Sequence, residues 1–307
     1  PDLVWVKGRV QNQHSGIFDS VRGADLWLRS GTTDAENNFG GGYGVTSFDT
    51  NGFTVGSGSA INNNGDGNVA WCWKAGDHDD NLPQINTEGS IDSVVSVNAE
   101  AGFGIVKYTG DGNASSDVGH GLSVRPELTI FKQLSSGGTG GGYWNTYYTA
   151  NNTVGFLNES NAFSSNTAGT NGTVDIANMD STKFGFLNGS SSVNNQNGSG
   201  LDYIVYCFHS VTGYQKIGSY SGTGVNGNAI TTGFKPRWLL VKRINAADNW
   251  VIVDSVRGLS NSLFTDDSSQ ELNNAGAVSF DSNGFTVNGN SGGWNNGSST
   301  YIYLAIK

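Results

Sequence analysis

Two Asp–Arg pairs are the residues of this sequence whose spacing most resembles a chemical site. Asp19 and Arg22, and again Asp254 and Arg257, lie three positions apart in the sequence Asp-Ser-Val-Arg-Gly. An ionised pair at this spacing can form a charge-assisted hydrogen bond that fixes a turn. Catalysis would need a second carboxylate or a nucleophile at the same place, and the sequence supplies neither. We therefore predict that both pairs are structural.

The densest group of oxygen ligands is the run Asp77-His-Asp-Asp-Asn81. Carboxylate and amide oxygens are the ligands that Ca²⁺ prefers, so Asp77, Asp79 and Asp80 could hold that ion. A solvated linker is the simpler interpretation, because residues 77–90 are charged and polar and include one proline. The histidines are scattered along the chain, which argues against a zinc site. Apart from this calcium option we expect no cofactor.

Motifs of hydrolases and nucleotide-binding proteins occur only as short matches. Gly289-Asn-Ser-Gly-Gly293 fits Gly-x-Ser-x-Gly, and Gly222-Thr-Gly-Val-Asn-Gly227 fits Gly-x-Gly-x-x-Gly. Both motifs act next to a helix, and no helical pattern follows either match. A glycosidase would need two carboxylates about 5–9 Å apart, yet no glutamate has an acidic partner at strand spacing. We predict that the protein is not an enzyme.

Ligand binding would require exposed aromatic rings beside amide and carboxylate groups. Tyr43 and Tyr143 lie in Gly-rich insertions, and Trp144 adjoins the second of them. Trp250 aligns with Trp144 in the internal repeat described below, which makes a core position the alternative for both tryptophans. We predict Tyr43, Tyr143, Trp144 and Trp250 as ligand contacts, with the two tyrosines as the best candidates for stacking on a sugar.

Short strands must position these residues. The chain has 46 glycines, 36% hydrophobic residues and only 14% charged residues, and its aromatic residues alternate with polar ones in short runs. Such runs between Gly, Asn and Ser turns are typical of an all-β protein. The net charge of −10 argues against binding to nucleic acid or to an anionic membrane. No apolar stretch is long enough to cross a bilayer, so we expect no membrane insertion.

An internal repeat organises the chain. Pro1–Lys7 matches Pro236–Lys242, Asp19–Gly23 matches Asp254–Gly258, and Phe48–Val55 matches Phe280–Val287. A degraded copy lies between them, from Pro126–Lys132 to its closing strand Tyr203–Phe208. We predict three β-sandwiches: repeat 1 (residues 1–76), a linker (77–90), repeat 2 (91–213) and repeat 3 (214–307). We also predict a hairpin over 44–55, where Asn51-Gly52 is a turn signal.

Repeat 1 differs from the other two at its start. Repeats 2 and 3 begin with a shared segment, Tyr108-Thr-Gly-Asp-Gly112 and Tyr220-Ser-Gly-Thr-Gly224, which repeat 1 lacks. We expect repeat 1 to be short of one strand, which a removed segment, a neighbouring chain or another cover must replace. Cys72 and Cys207 hold the same position in two repeats, so we expect them in separate sandwiches, too far apart for a disulfide, as two small buried thiols.

These motifs together resemble a repeat of marine bacteriophage virion proteins. The resemblance rests on Gly233–Lys242, Asp254–Gly258, Ser282–Val287 and Tyr301–Lys307, and it covers nearly the whole chain. Such proteins are described as tail-fibre or other surface structural proteins with concanavalin A/laminin-G-like, jelly-roll sandwiches. The resemblance implies this fold and a place on the virion surface, and it implies no particular site.

From these observations we expect a non-enzymatic virion surface protein of the tail-fibre or adhesion type. Its loops would present a site for a host-surface glycan, and its other partners would be virion proteins. The alternative is a capsid-decoration, cement or connector protein with a purely structural role. By analogy with other virion proteins we expect a homo-oligomer, in the first place a trimer.

Overall fold

The computed structural model describes residues 1–38, 42–76, 83–135, 142–166, 174–187 and 196–307. Nearly all regular structure in these residues is antiparallel β-sheet, with one helical turn, α1 (Ser59–Asn62), and one 3-10 turn (Thr149–Asn151). The predicted all-β fold with tandem antiparallel sandwiches is confirmed. Within the described ranges, no helix has the length and apolar character needed to cross a membrane.

Repeat 1 forms one larger sheet and one hairpin. The strands are β1 (Leu3–Gly8), β2 (Gly16–Asp19), β3 (Leu26–Arg29), β4 (Asn37–Asn38), β5 (Val45–Asp49), β6 (Gly52–Val55) and β7 (Asn68–Trp73). The sheet has the order β4-β3-β2-β1-β7, so β7 is an edge strand. Strands β5 and β6 pair with each other across the Asn51-Gly52 turn, as the sequence predicts.

Repeat 2 contains the largest sheet. Its strands, with β8 from the preceding stretch, are β8 (Gln84–Asn86), β9 (Ser93–Asn98), β10 (Phe103–Thr109), β11 (Asp117–Gly119), β12 (Leu128–Gln133), β13 (Trp144–Tyr148), β14 (Thr153–Phe156), β15 (Ser164–Ser165), β16 (Val174–Asp175), β17 (Lys183–Phe186) and β18 (Asp202–Phe208). The large sheet has the order β15-β14-β13-β12-β18-β10-β9-β8, and the small one β11-β17-β16. Strand β8 lies in the predicted linker, so that part of the linker is instead the outer strand of this sheet.

Repeat 3 has the same plan with fewer strands. They are β19 (Gln215–Ser221), β20 (Asn228–Thr231), β21 (Trp238–Arg243), β22 (Val251–Asp254), β23 (Asn261–Phe264), β24 (Leu272–Asn273), β25 (Val278–Asp281), β26 (Gly284–Val287) and β27 (Thr300–Ile306). The large sheet has the order β19-β27-β21-β22-β23-β24, and the small one β20-β26-β25. Trp294 is buried in the turn before β27.

The opening strand of each large sheet is buried on both faces. In β1, whose sequence is Leu-Val-Trp-Val-Lys-Gly, every residue is buried. Successive side chains of a strand point to opposite faces, so Val4 and Val6 pack with Phe48 and Phe53 of the hairpin, whereas Leu3 and Trp5 pack on the other side. The corresponding strands β12 and β21 are buried in the same way.

The face of each large sheet that is turned away from its own hairpin or small sheet packs into one central core. This core contains Leu3 and Trp5 of repeat 1, Leu128 and Ile130 of repeat 2, and Trp238 and Leu240 of repeat 3, with many further residues from all three. The three large sheets therefore share a hydrophobic centre, which the sequence analysis did not predict. Cysteines 72 and 207 are both free, with Cys207 buried and Cys72 exposed rather than buried.

Main-chain hydrogen bonds connect the three repeats in cyclic order. Three bonds of 2.8 Å each follow the same pattern: Glu36 N–H to the Leu134 carbonyl, Phe163 N–H to the Ile244 carbonyl, and Glu271 N–H to the Arg9 carbonyl. The acceptors lie two residues after the same lysine of each opening strand, at Lys7, Lys132 and Lys242. Each repeat thus donates to one neighbour and accepts from the other, which closes a ring of three contacts.

Candidate functional site

A cleft on repeat 1 contains the most exposed of the predicted contact residues. Tyr43 is 47% exposed, and it lines a cavity of about 530 Å³ together with Trp27, Arg29 and His14. The remaining described lining residues are Asn12, Gln13, Gly58, Ser59 and Ala60. The cleft therefore combines an exposed aromatic ring with amide, guanidinium, imidazole and hydroxyl groups.

The loop that carries Tyr43 is held by backbone contacts on both sides. The Asp25 carboxylate accepts hydrogen bonds of 3.1 Å from the N–H groups of Gly42 and Gly44. The N–H of Gly58 donates to the Tyr43 carbonyl at 3.1 Å. A Cβ atom on Gly58 would lie 2.0 Å from that carbonyl oxygen, so this approach requires glycine. These contacts fix the backbone on both sides of Tyr43, from which its side chain enters the cleft.

Two basic side chains set the charge of the cleft. The guanidinium of Arg29 lies over the Trp27 ring, 4.9 Å from its centroid, and the side chain is exposed. Burial, followed by the charges of Lys7 and Arg29, lowers the pKa of His14. His14 is therefore neutral at pH 7. Among the described lining residues there is no carboxylate, but the Arg29 guanidinium forms an exposed ion pair of 3.5 Å with Asp34 beside the cleft. The cleft therefore offers hydrogen-bonding groups and a cation whose charge is partly balanced.

The other predicted contact residues lie elsewhere. Tyr143 is half-buried, and its ring packs on Phe156 with the centroids 4.9 Å apart; it does not line the Tyr43 cleft. Trp144 is 0% and Trp250 is 1% exposed, which corrects their assignment as ligand contacts. Their indole N–H groups donate across repeat boundaries, Trp144 to the Arg29 carbonyl and Trp250 to the Phe156 carbonyl, each at 2.8 Å. Both tryptophans lie in the core, which was the alternative for them.

The two Asp–Arg pairs lock turns, as their spacing predicts. Arg22 Nε donates to Asp19 Oδ2 at 2.5 Å, and Arg257 Nε donates to Asp254 Oδ2 at 2.6 Å. In both turns the backbone N–H of the arginine also donates to Oδ1 of the aspartate, at 2.9 Å. Burial opposes ionisation of Asp254, but the hydrogen bonds and charge of Arg257 outweigh it and lower the pKa of that carboxyl.

Each pair has a second role that sequence spacing does not reveal. Tyr206 of repeat 2 donates its hydroxyl to Asp19 Oδ2 at 2.7 Å. Trp71 of repeat 1 donates its indole N–H to Asp254 Oδ2 at 3.1 Å. Tyr206 and Trp71 hold the same position in their closing strands. The turn aspartates are therefore acceptors at two of the three contacts between repeats, which is a structural function.

Three buried lysines form a feature that the sequence reasoning missed. Lys7, Lys132 and Lys242 are at most 1% exposed. Each Nζ donates to a carbonyl of its own repeat and to one of a neighbour; the neighbouring acceptors are Asp267 for Lys7 at 2.9 Å, Thr33 for Lys132 at 3.2 Å, and Ser160 for Lys242 at 2.8 Å. Burial lowers the pKa of all three to about 8. The signal was available, because lysine recurs at this position of every opening strand.

The predicted calcium ligands Asp77, Asp79 and Asp80 lie outside the described residues. In the part of the chain that the structure describes, no group of three or more His, Cys, Asp or Glu side chains could hold a metal ion. The calcium site therefore stays a prediction.

A second depression lies on repeat 3, where the Gly-x-Ser-x-Gly match occurs. It has a volume of about 600 Å³ and a lining rich in asparagine, including Asn226, Asn274 and Asn290. Ser291 of the motif belongs to this lining, in a loop between β26 and β27 that contains no helix. Trp294, its one aromatic lining residue among those described, is only 3% exposed. The depression lacks the exposed ring that the repeat 1 cleft provides.

A comparison with known proteins identifies a family but no individual relative. A family model described as a domain of unknown function (DUF7483) matches residues 1–307. No curated protein and no solved structure matches the chain.

Proposed function

We propose that this chain, which belongs to the DUF7483 family, is a non-enzymatic surface protein that binds a glycan through the Tyr43 cleft. The observation that carries the proposal is the exposed Tyr43, which lines a cavity of about 530 Å³ beside amide, guanidinium and imidazole groups. Aromatic faces pack on the apolar face of a pyranose, and polar side chains of these types bond its hydroxyls.

The chemistry of the cleft favours binding over catalysis. Its described lining has no carboxylate, whereas glycoside hydrolysis needs two. The neutral imidazole of His14 and the cation of Arg29 can both bond hydroxyl groups, and Arg29 also favours a sugar that carries a carboxylate. We therefore propose a neutral or acidic glycan as the ligand.

The proposed location is the surface of a bacteriophage virion. Support comes from the resemblance of the repeat motifs to marine phage surface proteins, and from the net charge of −10, which disfavours nucleic acid as the partner. Gold-labelled antibody against the chain, viewed on intact particles by electron microscopy, tests this placement. Label at tail fibres would support adhesion, label spread over the capsid would support the decoration role, and particles without label would contradict both.

Binding is tested on a glycan array with the wild-type chain and three matched variants. We expect Tyr43→Ala to lose at least ten-fold in affinity for any glycan that the wild type binds. Tyr143→Ala and Tyr214→Ala should retain wild-type binding, because both rings lie outside the cleft. A blank array, or a Tyr43→Ala variant that binds like the wild type, would refute the assignment of the cleft.

A further inference from the structure

Arg29, in the lining of the Tyr43 cleft, occupies a position that is aromatic in the other two repeats. The strand registers align it with Phe156 of repeat 2 and Phe264 of repeat 3. Phe264 is 8% exposed and belongs to the core of its sandwich, and Phe156 is half-buried against Tyr143. Arg29, in contrast, is exposed. Repeat 1 thus presents a cation to its cleft at the place where the other repeats pack an apolar ring.

The Trp27 ring supports the Arg29 guanidinium. Trp27 and Arg29 are two positions apart on β3, so their side chains leave the same face of the strand. The guanidinium carbon lies 4.9 Å from the centroid of the Trp27 ring, which also stacks on Phe18 with the centroids 6.2 Å apart. A guanidinium that rests on an aromatic ring has less freedom to lose when its N–H groups bind a ligand. Arg29 is therefore partly preorganised for binding.

Most N–H groups of the Arg29 guanidinium have no acceptor in the described part of the chain. Its one hydrogen bond there runs from Nη1 to Asp34 Oδ2 at 3.5 Å. The structural Arg22, by comparison, donates to Asp19, to Glu36 and to two carbonyl oxygens at 2.5 to 3.1 Å. Arginine presents its N–H groups in a fixed fork that fits a carboxylate. The fork of Arg29 is therefore available to a ligand in the cleft.

The ion pair between Arg29 and Asp34 is weak enough to be exchanged. The two side chains are 43% and 59% exposed, and their nearest charged atoms are 3.5 Å apart. An exposed pair of this kind contributes little, because water competes for both groups. Asp34 Oδ2 also accepts a hydrogen bond of 2.9 Å from Thr32 Oγ1, so the carboxylate keeps a donor when Arg29 turns away. Asp34 is thus a partner that the anion of a ligand can replace.

Arg29 stands at the boundary between the cleft and a smaller hollow. The hollow has a volume of about 70 Å³, and its lining includes Trp27, Arg29 and Asp34. Trp27 and Arg29 also line the cleft, whereas Asp34 is absent from the described lining of the cleft. A ligand beside Tyr43 can therefore contact the guanidinium without lying against the Asp34 carboxylate.

We infer that the Tyr43 cleft selects glycans whose sugars carry a carboxylate, and that Arg29 is the residue that determines this specificity. The sugar ring packs on Tyr43, while its carboxylate accepts two N–H groups of Arg29 in a bidentate pair and displaces Asp34. A neutral sugar makes the same contact with Tyr43 but leaves Arg29 paired with Asp34, so it binds more weakly. This selectivity rests on the proposed function, because it presupposes that a glycan binds at Tyr43.

A glycan array in which each carboxylated glycan stands beside its carboxyl-reduced, neutral counterpart tests this selectivity. We expect the carboxylated form of a bound glycan to bind roughly ten-fold more tightly, or better, than the reduced form. Arg29→Gln should remove the preference, and Arg29→Lys, which keeps the charge but not the planar fork, should restore only part of it. Arg237→Gln is the matched control, because Arg237 is exposed, carries the same charge and lies outside the described lining of the cleft.

Asp34→Asn tests the exchange itself. Because Asp34 competes with the ligand for Arg29, its loss should tighten binding of the carboxylated form about two- to five-fold and leave binding of the reduced form unchanged. Asp92→Asn, an equal change of charge at an exposed residue of repeat 2, should alter neither.

The outcomes separate this selectivity from glycan binding as such. Equal binding of carboxylated and reduced forms, with Tyr43→Ala still losing affinity, would overturn the role of Arg29 and leave the proposed function intact. Weaker binding of the carboxylated form by Asp34→Asn would overturn the exchange. An array without any bound glycan would refute the proposed function and the selectivity together.

Discussion

The buried lysines predict that the protein becomes more stable as the pH rises from 7 to 9. Lys7, Lys132 and Lys242 have a pKa of about 8 in the folded chain, against 10.5 for an ordinary lysine. Between these values the unfolded chain binds more protons than the folded one, so the free energy of unfolding increases with pH. The cost of burying each charge is fully present below pH 8 and is lost as the pH rises.

The size of the effect follows from the same values. Lowering one lysine pKa to about 8 corresponds to roughly 3 kcal/mol of destabilisation at acidic and neutral pH. About 1 kcal/mol of that is relieved per lysine between pH 7 and 9. The range ends at 9 because the tyrosines of the unfolded chain lose protons near pH 10, while burial raises the pKa of Tyr203 in the folded chain to about 12. Above pH 9 these tyrosines reduce stability again.

Urea unfolding followed by tryptophan fluorescence at pH 7, 8 and 9, at constant ionic strength, measures this effect. Lys132→Met removes one titrating group, so its free energy of unfolding should rise about 1 kcal/mol less than that of the wild type over this range. Lys235→Met is the matched control, because Lys235 is exposed and its loss changes the net charge equally. Identical pH profiles for the wild type and Lys132→Met would refute the reasoning.

Three further substitutions test the contacts between and within repeats. Tyr206→Phe leaves the buried Asp19 without one donor and should cost roughly 1–3 kcal/mol in chemical unfolding, whereas Tyr214→Phe should change little. Asp254→Asn breaks a buried pair and should cost about 3 kcal/mol near neutral pH. Because the pKa of Asp254 is lowered, its contribution is present above pH 4 and is lost as the pH falls through the lowered pKa, so the difference in Tm between variant and wild type should shrink in acid. Gly31→Ala places a Cβ 2.2 Å from His14 Nδ1 and 3.1 Å from the Thr265 carbonyl oxygen, and should cost about 1–3 kcal/mol, whereas Gly67→Ala meets nothing within 4 Å; a similar Tm for both would contradict this packing.

Local features of this fold were predictable because neighbouring residues determine them. The alternation of apolar residues gave the opening and closing strands to within about two residues. The Asp–Arg turns were correct because both partners lie within one turn, and the hairpin at β5 and β6 was correct because its turn signal is local.

Features that depend on distant residues were missed or misread. The runs of buried residues in β1 and β12 did not reveal the central core, because a sequence does not say what lies against the second face of a strand. Trp144 was placed beside Tyr143 as a ligand contact, yet its ring is in the central core and its indole N–H reaches the Arg29 carbonyl of another repeat. The cleft at Tyr43 combines residues from four separate stretches, so only the tyrosine itself could be proposed in advance.

The ring of contacts between the repeats has a consequence for how the chain can change. Three identical subunits would have to use the same residues at every junction, and would separate on dilution. Here one junction has a phenol on an aspartate, one has an indole on an aspartate, and in the third the corresponding residues are Tyr148 and Leu304, both in the central core. A covalently joined ring can therefore lose polarity at one junction and retain a cleft at one repeat without either change being copied three times.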